Sequence, residues 1–407
     1  MRPLLLYTRI AWRNVRRNRR RSFITITAIS FGVFCLLIFQ ALKTGLHREI
    51  QESTIRLDTG SAQIHPAGYA ANLVSLRSLP GLDRVEAVLG RTEGILYSPR
   101  LKAPVLLLSG QRSSAVLLAG VDPRKEADVT FIAERIVKGD YLGDAEGILV
   151  GEALAKGIGA GPGDTLSLAA QDASGRPVFG TFTIRGIYRT ELPSFDRSHV
   201  YLPLGKARAF LHAEGMVTEI AVLSGTRPAG ELAALLHKEL PPADYQVQTW
   251  EEIAPDVKQI IDLNNATMHL LILIVFTIVA LGIANTMTMI VFERFKEFGI
   301  LSSIGTPPAG VVIMILLESL LLGAIASAVG SLMGAVACRY LGVHGIDLSA
   351  FTSANQHIAT SHILKARLLC RDLFVSNAVT LATALLSGIY PALKAARLKP
   401  VETLAHL

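Results

Sequence analysis

The stretch Phe292-Glu-Arg-Phe-Lys-Glu-Phe-Gly-Ile-Leu-Ser-Ser-Ile-Gly305 is a short charged segment between two long apolar runs, and it decides the fold. Residues 268–292 contain no Asp, Glu, Lys or Arg, and residues 309–338 contain only Glu318. Each run exceeds the ~20 apolar residues that a helix needs to cross a bilayer. We therefore predict two transmembrane helices, joined by a segment that lies at one membrane surface.

The pattern of this segment predicts a short helix. Phe292, Phe295 and Phe298 recur at every third residue with charged residues between them, which is typical of an interfacial helix with one apolar side. The sequence Gly305-Thr-Pro-Pro308 is expected to end the helix, because proline lacks the N–H that a continuing helix needs. Periodicity alone leaves a solvated loop open as the alternative.

Composition and charge indicate an integral membrane protein. Hydrophobic residues make up 50% of the 407, and they are concentrated in a few runs. The net charge of +7 comes from residues 1–21, which hold eight Arg and no acidic residue, while the rest of the chain is nearly neutral. The positive-inside rule and anionic lipid headgroups explain such a cluster beside an apolar run better than nucleic acid does. The three cysteines imply no disulfide framework.

Two further runs complete a prediction of four spans with both termini in the cytoplasm. The first run follows the Arg-rich start, and we favour an uncleaved anchor over a signal peptide because the apolar part is longer than the usual 7–15 residues. The Lys/Arg-rich segments all fall on one side of the predicted membrane, which is the cytoplasmic side. The predicted division is a cytoplasmic amphipathic helix at 1–22, spans at 23–42, 268–292, 309–338 and 373–393, an extracytoplasmic α+β domain at 43–267, a cytoplasmic coupling segment at 293–308, an extracytoplasmic loop at 339–372 and a cytoplasmic tail at 394–407.

The large domain between the first two spans has mixed charge, frequent Gly/Pro turns and short β-branched runs, which favour an α+β fold. A helix over residues 250–263 is expected to continue into the second span. The predicted strands are 105–108, 115–121, 165–168, 179–188, 199–202 and 219–223.

The motifs that would give the chain its own chemistry are absent. The sequence contains no G-x-x-x-x-G-K-[ST] phosphate loop, no H-E-x-x-H and no G-x-S-x-G. We therefore predict no ATPase or other enzymatic activity, no cofactor and no metal. His344, His357 and His362 share the predicted outer loop, but their spacing fits no helical metal pair, and we read them as polar loop residues.

Two features lie within the predicted spans. Glu318 is ~14 Å deep in a hydrocarbon layer of ~30 Å, where an ionised carboxylate costs about 2.5–3.5 kcal/mol. We expect Glu318 to face protein or to be protonated, and Asn285 of the preceding span is a candidate partner. Ala326, Gly330 and Gly334 stand four apart and predict a close helix-packing face, with a subunit interface as the alternative.

Two motifs resemble the permease subunits of the MacB-like ABC transporter superfamily, which includes FtsX-like and lipoprotein-releasing LolC/LolE-like members. They are Arg294-Phe-Lys-Glu297-Phe-Gly299-Ile300 with Ile304-Gly305, and Tyr390-Pro-Ala-Leu-Lys-Ala-Ala-Arg-Leu-Lys-Pro400-Val-Glu-Thr-Leu404. The resemblance implies that the segment between spans two and three is a coupling helix that seats on a separate ATPase. The residues it assigns to coupling are Arg294, Phe295, Lys296, Glu297, Phe298, Gly299, Ile304 and Gly305. We expect the phenylalanines to enter a cleft of that ATPase, and the segment to add little to the stability of the fold.

Three outer-domain motifs are similar to the lipoprotein-releasing branch: Gln63-Ile-His-Pro-Ala-Gly-Tyr69, Gly120-Val-Asp-Pro123 with Gly139-Asp-Tyr-Leu142, and Gly147-Ile-Leu-Val-Gly-Glu-Ala-Leu-Ala155 with Gly163-Asp164. The resemblance implies a bacterial inner-membrane permease with these partners: an ATPase dimer, a second permease copy or paralogue, membrane lipids and a lipoprotein or other extracytoplasmic protein, but no nucleic acid. The alternatives are an FtsX-like non-transporting transducer and a MacB-like exporter of peptides or small molecules. A sensor is disfavoured because no output domain follows any span.

Overall fold

The computed structural model describes residues 2–17, 19–69, 76–110, 112–143, 147–190, 192–347 and 363–397. Two compact units make up the chain. The first unit holds the described residues of Met1–His47, Asp262–Asp347 and Ile363–Leu407, and it is almost entirely helical. The second holds those of Arg48–Ile261 and contains a large sheet.

Four of the described helices, α2, α10, α12 and α13, are long and apolar enough to cross a membrane. In chain order the helices are α1 (Arg2–Arg17), α2 (Arg19–Thr54), α3 (Leu82–Arg91), α4 (Pro123–Val129), α5 (Glu152–Ile158), α6 (Pro193–Ser198), α7 (Leu204–Phe210), α8 (Ala229–Glu239), α9 (Trp250–Ile253), α10 (Pro255–Glu293), α11 (Phe295–Ser303), α12 (Pro308–His344) and α13 (Cys370–Ala396).

All four long helices extend beyond the predicted spans, and α12 reaches His344, which was predicted to lie in the loop 339–372. Helix α2 continues twelve residues past position 42, and a π-helical turn over Ile55–Thr59 follows it. That turn ends at Gly60, whose φ of +63° suits glycine. Residues 43–54 are polar but contain no proline, so the helix persists after the apolar run has ended. The end of the apolar run at residue 42 is therefore not the end of the helix. Helix α10 likewise extends beyond its apolar run, because it begins at Pro255 and continues unbroken to Glu293.

Small residues allow the long helices to pack with their backbones close together. A Cβ atom added at Gly330 would lie 2.6 Å from the Ser30 carbonyl oxygen, and one at Gly334 would lie 2.8 Å from a Leu37 methyl carbon. The predicted stripe, which also includes Ala326, thus packs against α2 of the same chain. The Ser30 hydroxyl donates a hydrogen bond to the Ala326 carbonyl over 2.9 Å and reinforces this contact.

The second unit is built on a mixed ten-stranded sheet with the order β10-β1-β9-β2-β3-β8-β5-β7-β4, in which β6 pairs with β2 and β7. The β3–β8 and β5–β7 pairs are parallel, and the other pairs are antiparallel. Its strands are β1 (Ala62–Pro66), β2 (Ile95–Ser109), β3 (Arg112–Val121), β4 (Ile136–Gly139), β5 (Ile148–Gly151), β6 (Thr165–Gln171), β7 (Pro177–Tyr188), β8 (His199–Pro203), β9 (Glu219–Ser224) and β10 (Tyr245–Thr249). A two-residue ribbon, β11 (Ile346–Asp347) with β12 (Ile363–Leu364), belongs to the helical unit.

The short helices of the sheet unit cover the sheet and bury its apolar side chains in three clusters. The largest cluster includes Leu107, Leu118, Ile148 and Leu168, which are fully buried. The observed unit is therefore α+β. The sequence prediction missed β1, β4, β5 and β10, and it found less than half of β2.

A charged cluster is buried in the same unit, where apolar side chains would be expected. Arg100 on β2 is only 1% exposed, and it donates two hydrogen bonds to the Glu126 carboxylate over 2.8 and 2.9 Å. Asp58 and Glu219 each contact both Arg100 and Lys102. Burial alone would lower the pKa of Lys102, but the nearby Asp58 and Glu219 carboxylates outweigh burial and raise it. Both cations therefore remain charged, and they hold the end of the π-helical turn against β2.

Candidate functional site

The segment between the second and third long helices forms a short helix, α11, rather than a loop. Its first turn is continuous with the end of α10, since the Arg294 N–H donates to the Ile290 carbonyl and the Phe298 N–H donates to the Arg294 carbonyl. Gly305 has a φ of +99°, which ends the helical geometry, and Pro307 precedes α12 in extended conformation. Glycine and proline thus end α11 where the sequence predicted.

The Phe298 side chain faces into the helical unit. It is 3% exposed and packs in a cluster with Val291 of α10, Met314 of α12 and Ala395 of α13. The guanidinium of Arg294 lies 5.1 Å from the centre of its ring. The expectation that Phe298 enters a cleft of the partner disagrees with this burial, because the ring already packs within this chain. From the same burial we now predict that α11 contributes to stability.

Arg294 connects the start of α11 to Glu318 on α12. Its Nη1 lies 3.1 Å from the Glu318 carboxylate, and its Nε donates to Glu297 over 2.8 Å. Asn14 of α1 also donates to Glu318, over 3.4 Å. The predicted partner of Glu318, Asn285, is instead exposed. The prediction paired Glu318 with Asn285 because the two residues were expected at similar depth in neighbouring spans. In the structure the long Arg294 side chain extends from the end of α10 and forms the ion pair with Glu318 instead.

Helix α1 is joined to the same segment by ion pairs. Arg17 pairs with Glu297, and Arg21, at the start of α2, pairs with Glu293. These pairs are exposed to solvent, which screens them, so each contributes little to stability. The Arg17 pair links α1 to α11, the Arg21 pair links α2 to α10, and the Asn14 contact links α1 to α12.

One face of α11 is not covered by any described part of the chain. Lys296, Ile300 and Ile304 stand four residues apart, and they therefore project from the same side of the helix. Ile300 is 53% exposed and Ile304 is 78% exposed. Two large aliphatic side chains next to a lysine form an exposed apolar patch with a polar edge, which is a pattern of protein-binding surfaces. Sequence reasoning gave the phenylalanines this role, although the spacing of 296, 300 and 304 was visible in the motif.

The remaining predicted residues have varied surroundings. Phe292 is exposed, with the Lys394 ammonium 4.6 Å from its ring centre, and Gly299 is buried. The side chain of Phe295 lies outside the described part of the structure, as do His357, His362 and the motif residues Pro400 and Leu404. His344 stacks on Tyr340. Among the described residues, no group of His, Cys, Asp or Glu could hold a metal ion.

Truncation of Phe298 to alanine is expected to release α11 from the helical unit. Loss of a buried Phe side chain costs about 3–5 kcal/mol, so the open state of the segment should become ~100-fold or more populated. Limited trypsin cleavage at Lys296 in the detergent-solubilised chain measures that population. Ile300→Ala, which removes an exposed side chain, is the control and should change the rate about twofold at most. Equal rates for the two variants would contradict the anchoring role.

The fold and site together define a membrane protein whose long apolar helices accompany a mixed-sheet domain, with a short surface helix between two of the long helices. A family model for the MacB-like periplasmic core domain matches residues 22–235, which is more than half of the chain. A second model, for the FtsX-like permease C-terminal region, matches residues 270–400 and includes α11. The chain belongs to this MacB- and FtsX-like family of ABC transporter permeases, which confirms the resemblance seen in its motifs.

Relatives match along almost the full length of the chain. The lipoprotein-releasing system transmembrane protein LolC of Xylella fastidiosa is 24% identical over 98% of both chains. The transmembrane protein LolE of the same kind of system in Haemophilus influenzae is 21% identical over 97% of this chain and 98% of its own. The macrolide export ATP-binding/permease protein MacB 2 of Aeromonas hydrophila is 26% identical over 98% of this chain but only 60% of its own length.

Proposed function

We propose that this chain is the permease subunit of an ABC complex in a bacterial cytoplasmic membrane, and that it couples ATP hydrolysis by a separate ATPase dimer to movement of its sheet domain. Both termini lie in the cytoplasm, and the sheet domain lies outside. Two permease subunits, identical or paralogous, pair in the complex. The cargo is a membrane-anchored lipoprotein, which the complex releases from the membrane.

The observation that carries this proposal is the exposed face of α11. The helix is held to its own chain by the buried Phe298 and Arg294, yet it presents Ile300 and Ile304 outward. A helix fixed on one side and apolar on the other can transmit a push from a bound protein to α10 and α12, which it joins. The Arg-rich α1, close to this helix, supports a cytoplasmic location for the face, where an ATPase can reach it.

The lipoprotein cargo is supported by the full-length similarity to LolC and LolE, whose names state lipoprotein release. The MacB relative also matches the whole of this chain and is named for macrolide export. A small-molecule or peptide cargo is therefore the second candidate, and the release experiment decides between the two.

Substitution of Ile300 and Ile304 by aspartate is expected to separate the permease from its ATPase. Each side chain at the centre of such an interface contributes about 2 kcal/mol or more, so the affinity should fall by a factor of ~30 for each substitution. The measurement is co-purification of the ATPase subunit with the full-length permease. Val137→Asp is the matched control, because Val137 is an exposed aliphatic residue of β4 in the sheet domain.

The same variants test the cargo in proteoliposomes that contain the permease, the ATPase and an acylated protein. We expect ATP-dependent release of the acylated protein with the wild type and Val137→Asp, and none with the aspartate double variant. Unchanged ATPase binding by the double variant would refute the coupling role of α11. Normal ATPase binding by the wild type without release of any acylated protein would refute the cargo alone.

A further inference from the structure

The exposed face of α1 carries positive charge that no described acidic side chain neutralises. Arg9, Arg13 and Arg16 stand at spacings of four and three residues, and all three are exposed. Among the described residues no acidic side chain pairs with them, whereas Arg17 and Arg21 pair with Glu297 and Glu293. The chain has no acidic residue before Glu49. The arginine face of α1, defined as Arg9, Arg13 and Arg16, thus has no counter-charge in the part of the chain that the structure describes.

Apolar side chains border the arginine face. Trp12 is 48% exposed and Leu6 is 57% exposed, although the opposite side of α1 buries Ala11 and Val15 in the helical unit. Tryptophan prefers the headgroup level of a bilayer, where its ring is apolar and its N–H remains hydrated. Exposed Trp and Leu beside three arginines form the pattern of an interfacial helix.

The position of α1 in the chain brings this face to a membrane. Helix α1 ends at Arg17, and α2 begins at Arg19 with the apolar run only a few residues further on. The Ser22 hydroxyl donates a hydrogen bond to the Val15 carbonyl over 3.0 Å and fixes the corner between the two helices. Arg16, the last residue of the arginine face, is only seven residues before Phe23, where the apolar run begins, so the face is tethered next to the surface of the membrane that α2 enters.

We propose that the arginine face of α1 binds the headgroups of anionic phospholipids in the leaflet that α2 enters. The ligand is a lipid phosphate with net negative charge, such as phosphatidylglycerol, and zwitterionic phosphatidylcholine does not replace it. The inference does not depend on the cargo or on the ATPase. Because α1 is ion-paired to α11, the bound lipids also hold the exposed face of α11 at a fixed height above the membrane.

Trp12 provides the assay, since the chain has only one other tryptophan, Trp250, which is buried in the sheet domain. Full-length protein carrying Trp250→Phe is placed in nanodiscs of phosphatidylcholine and phosphatidylglycerol, and only one of the two lipids has brominated acyl chains. We expect stronger quenching of Trp12 when phosphatidylglycerol is the brominated lipid. The preference should disappear in ~1 M salt, which shortens the Debye length to ~3 Å.

The triple variant R9Q/R13Q/R16Q should quench equally with either brominated lipid. Each basic residue near an anionic surface strengthens binding about fivefold, so the loss of three weakens it on the order of a hundredfold. The control R84Q/R91Q/R124Q removes three exposed arginines of the sheet domain and should keep the preference. If Trp250→Phe fails to fold, phosphatidylglycerol retained through detergent purification, measured by mass spectrometry, replaces the quenching assay. We then expect the wild type to retain more than R9Q/R13Q/R16Q.

Equal quenching by both lipids in the wild type, or an unchanged preference in R9Q/R13Q/R16Q, would overturn the proposal. So would loss of ATPase association in that variant with its lipid preference intact, because the face would then belong to a protein partner. In the mass-spectrometric assay, equal retention by the wild type and R9Q/R13Q/R16Q would overturn it in the same way.

Discussion

Replacement of Arg100 by methionine is expected to destabilise the sheet domain by about 3–5 kcal/mol, a large part of the 5–15 kcal/mol that keeps a typical domain folded. The substitution leaves Glu126 buried without a cation, and it leaves Asp58 and Glu219 to share Lys102. Urea unfolding of the full chain in detergent, followed by the fluorescence of the buried Trp250, measures the change. Arg84→Met, at an exposed position on α3, is the control and should stay within about 0.5 kcal/mol of the wild type.

A double variant distinguishes an unpaired charge from a simple loss of packing. The double variant R100M/E126L should be more stable than Arg100→Met alone, because it removes the stranded charge. If the double variant loses the sum of the two single effects, the cluster acts through packing and our account is wrong.

Removal of one partner of the Arg294–Glu318 pair is the second large effect that we expect. Arg294→Met leaves Glu318 buried in a spanning helix with only the long contact from Asn14, at an expected loss of about 3–5 kcal/mol. The helical unit should then denature at a lower temperature, as measured by size-exclusion chromatography after heating in detergent. The double variant R294M/E318M should recover most of the loss, because both buried charges are absent.

The control for this experiment is Arg21→Met, which breaks the neighbouring pair with Glu293. That pair is exposed to solvent, so the substitution should cost much less than the loss of one partner of the buried pair. A loss for Arg294→Met no larger than that for Arg21→Met would show that Glu318 reaches water or another partner in the folded protein.

Local sequence was enough to predict the parts of this protein that depend on local physics. Length and apolarity identify the four spanning helices, since a helix in hydrocarbon satisfies its own backbone hydrogen bonds and needs only enough apolar residues. The glycine and proline residues after Ser303 predicted where α11 ends. These residues restrict or free their own backbone angles, so their effect on the helix does not depend on distant parts of the chain. The motifs also led to the correct permease family.

The tertiary structure alone decided which side chains meet. Phe298 and Ile300 are two residues apart on one amphipathic helix, and only the packing of α11 on α12 and α13 buries the first and exposes the second. The predicted strand 105–108 covers only part of β2, and the missed part holds Arg100 and Lys102, whose charges are neutralised by carboxylates distant in sequence. Glu318 likewise pairs with Arg294, which lies 24 positions away in the sequence and is brought close by the fold. Burial of a charge depends on a partner brought close by the fold, and a linear pattern contains no record of that distance.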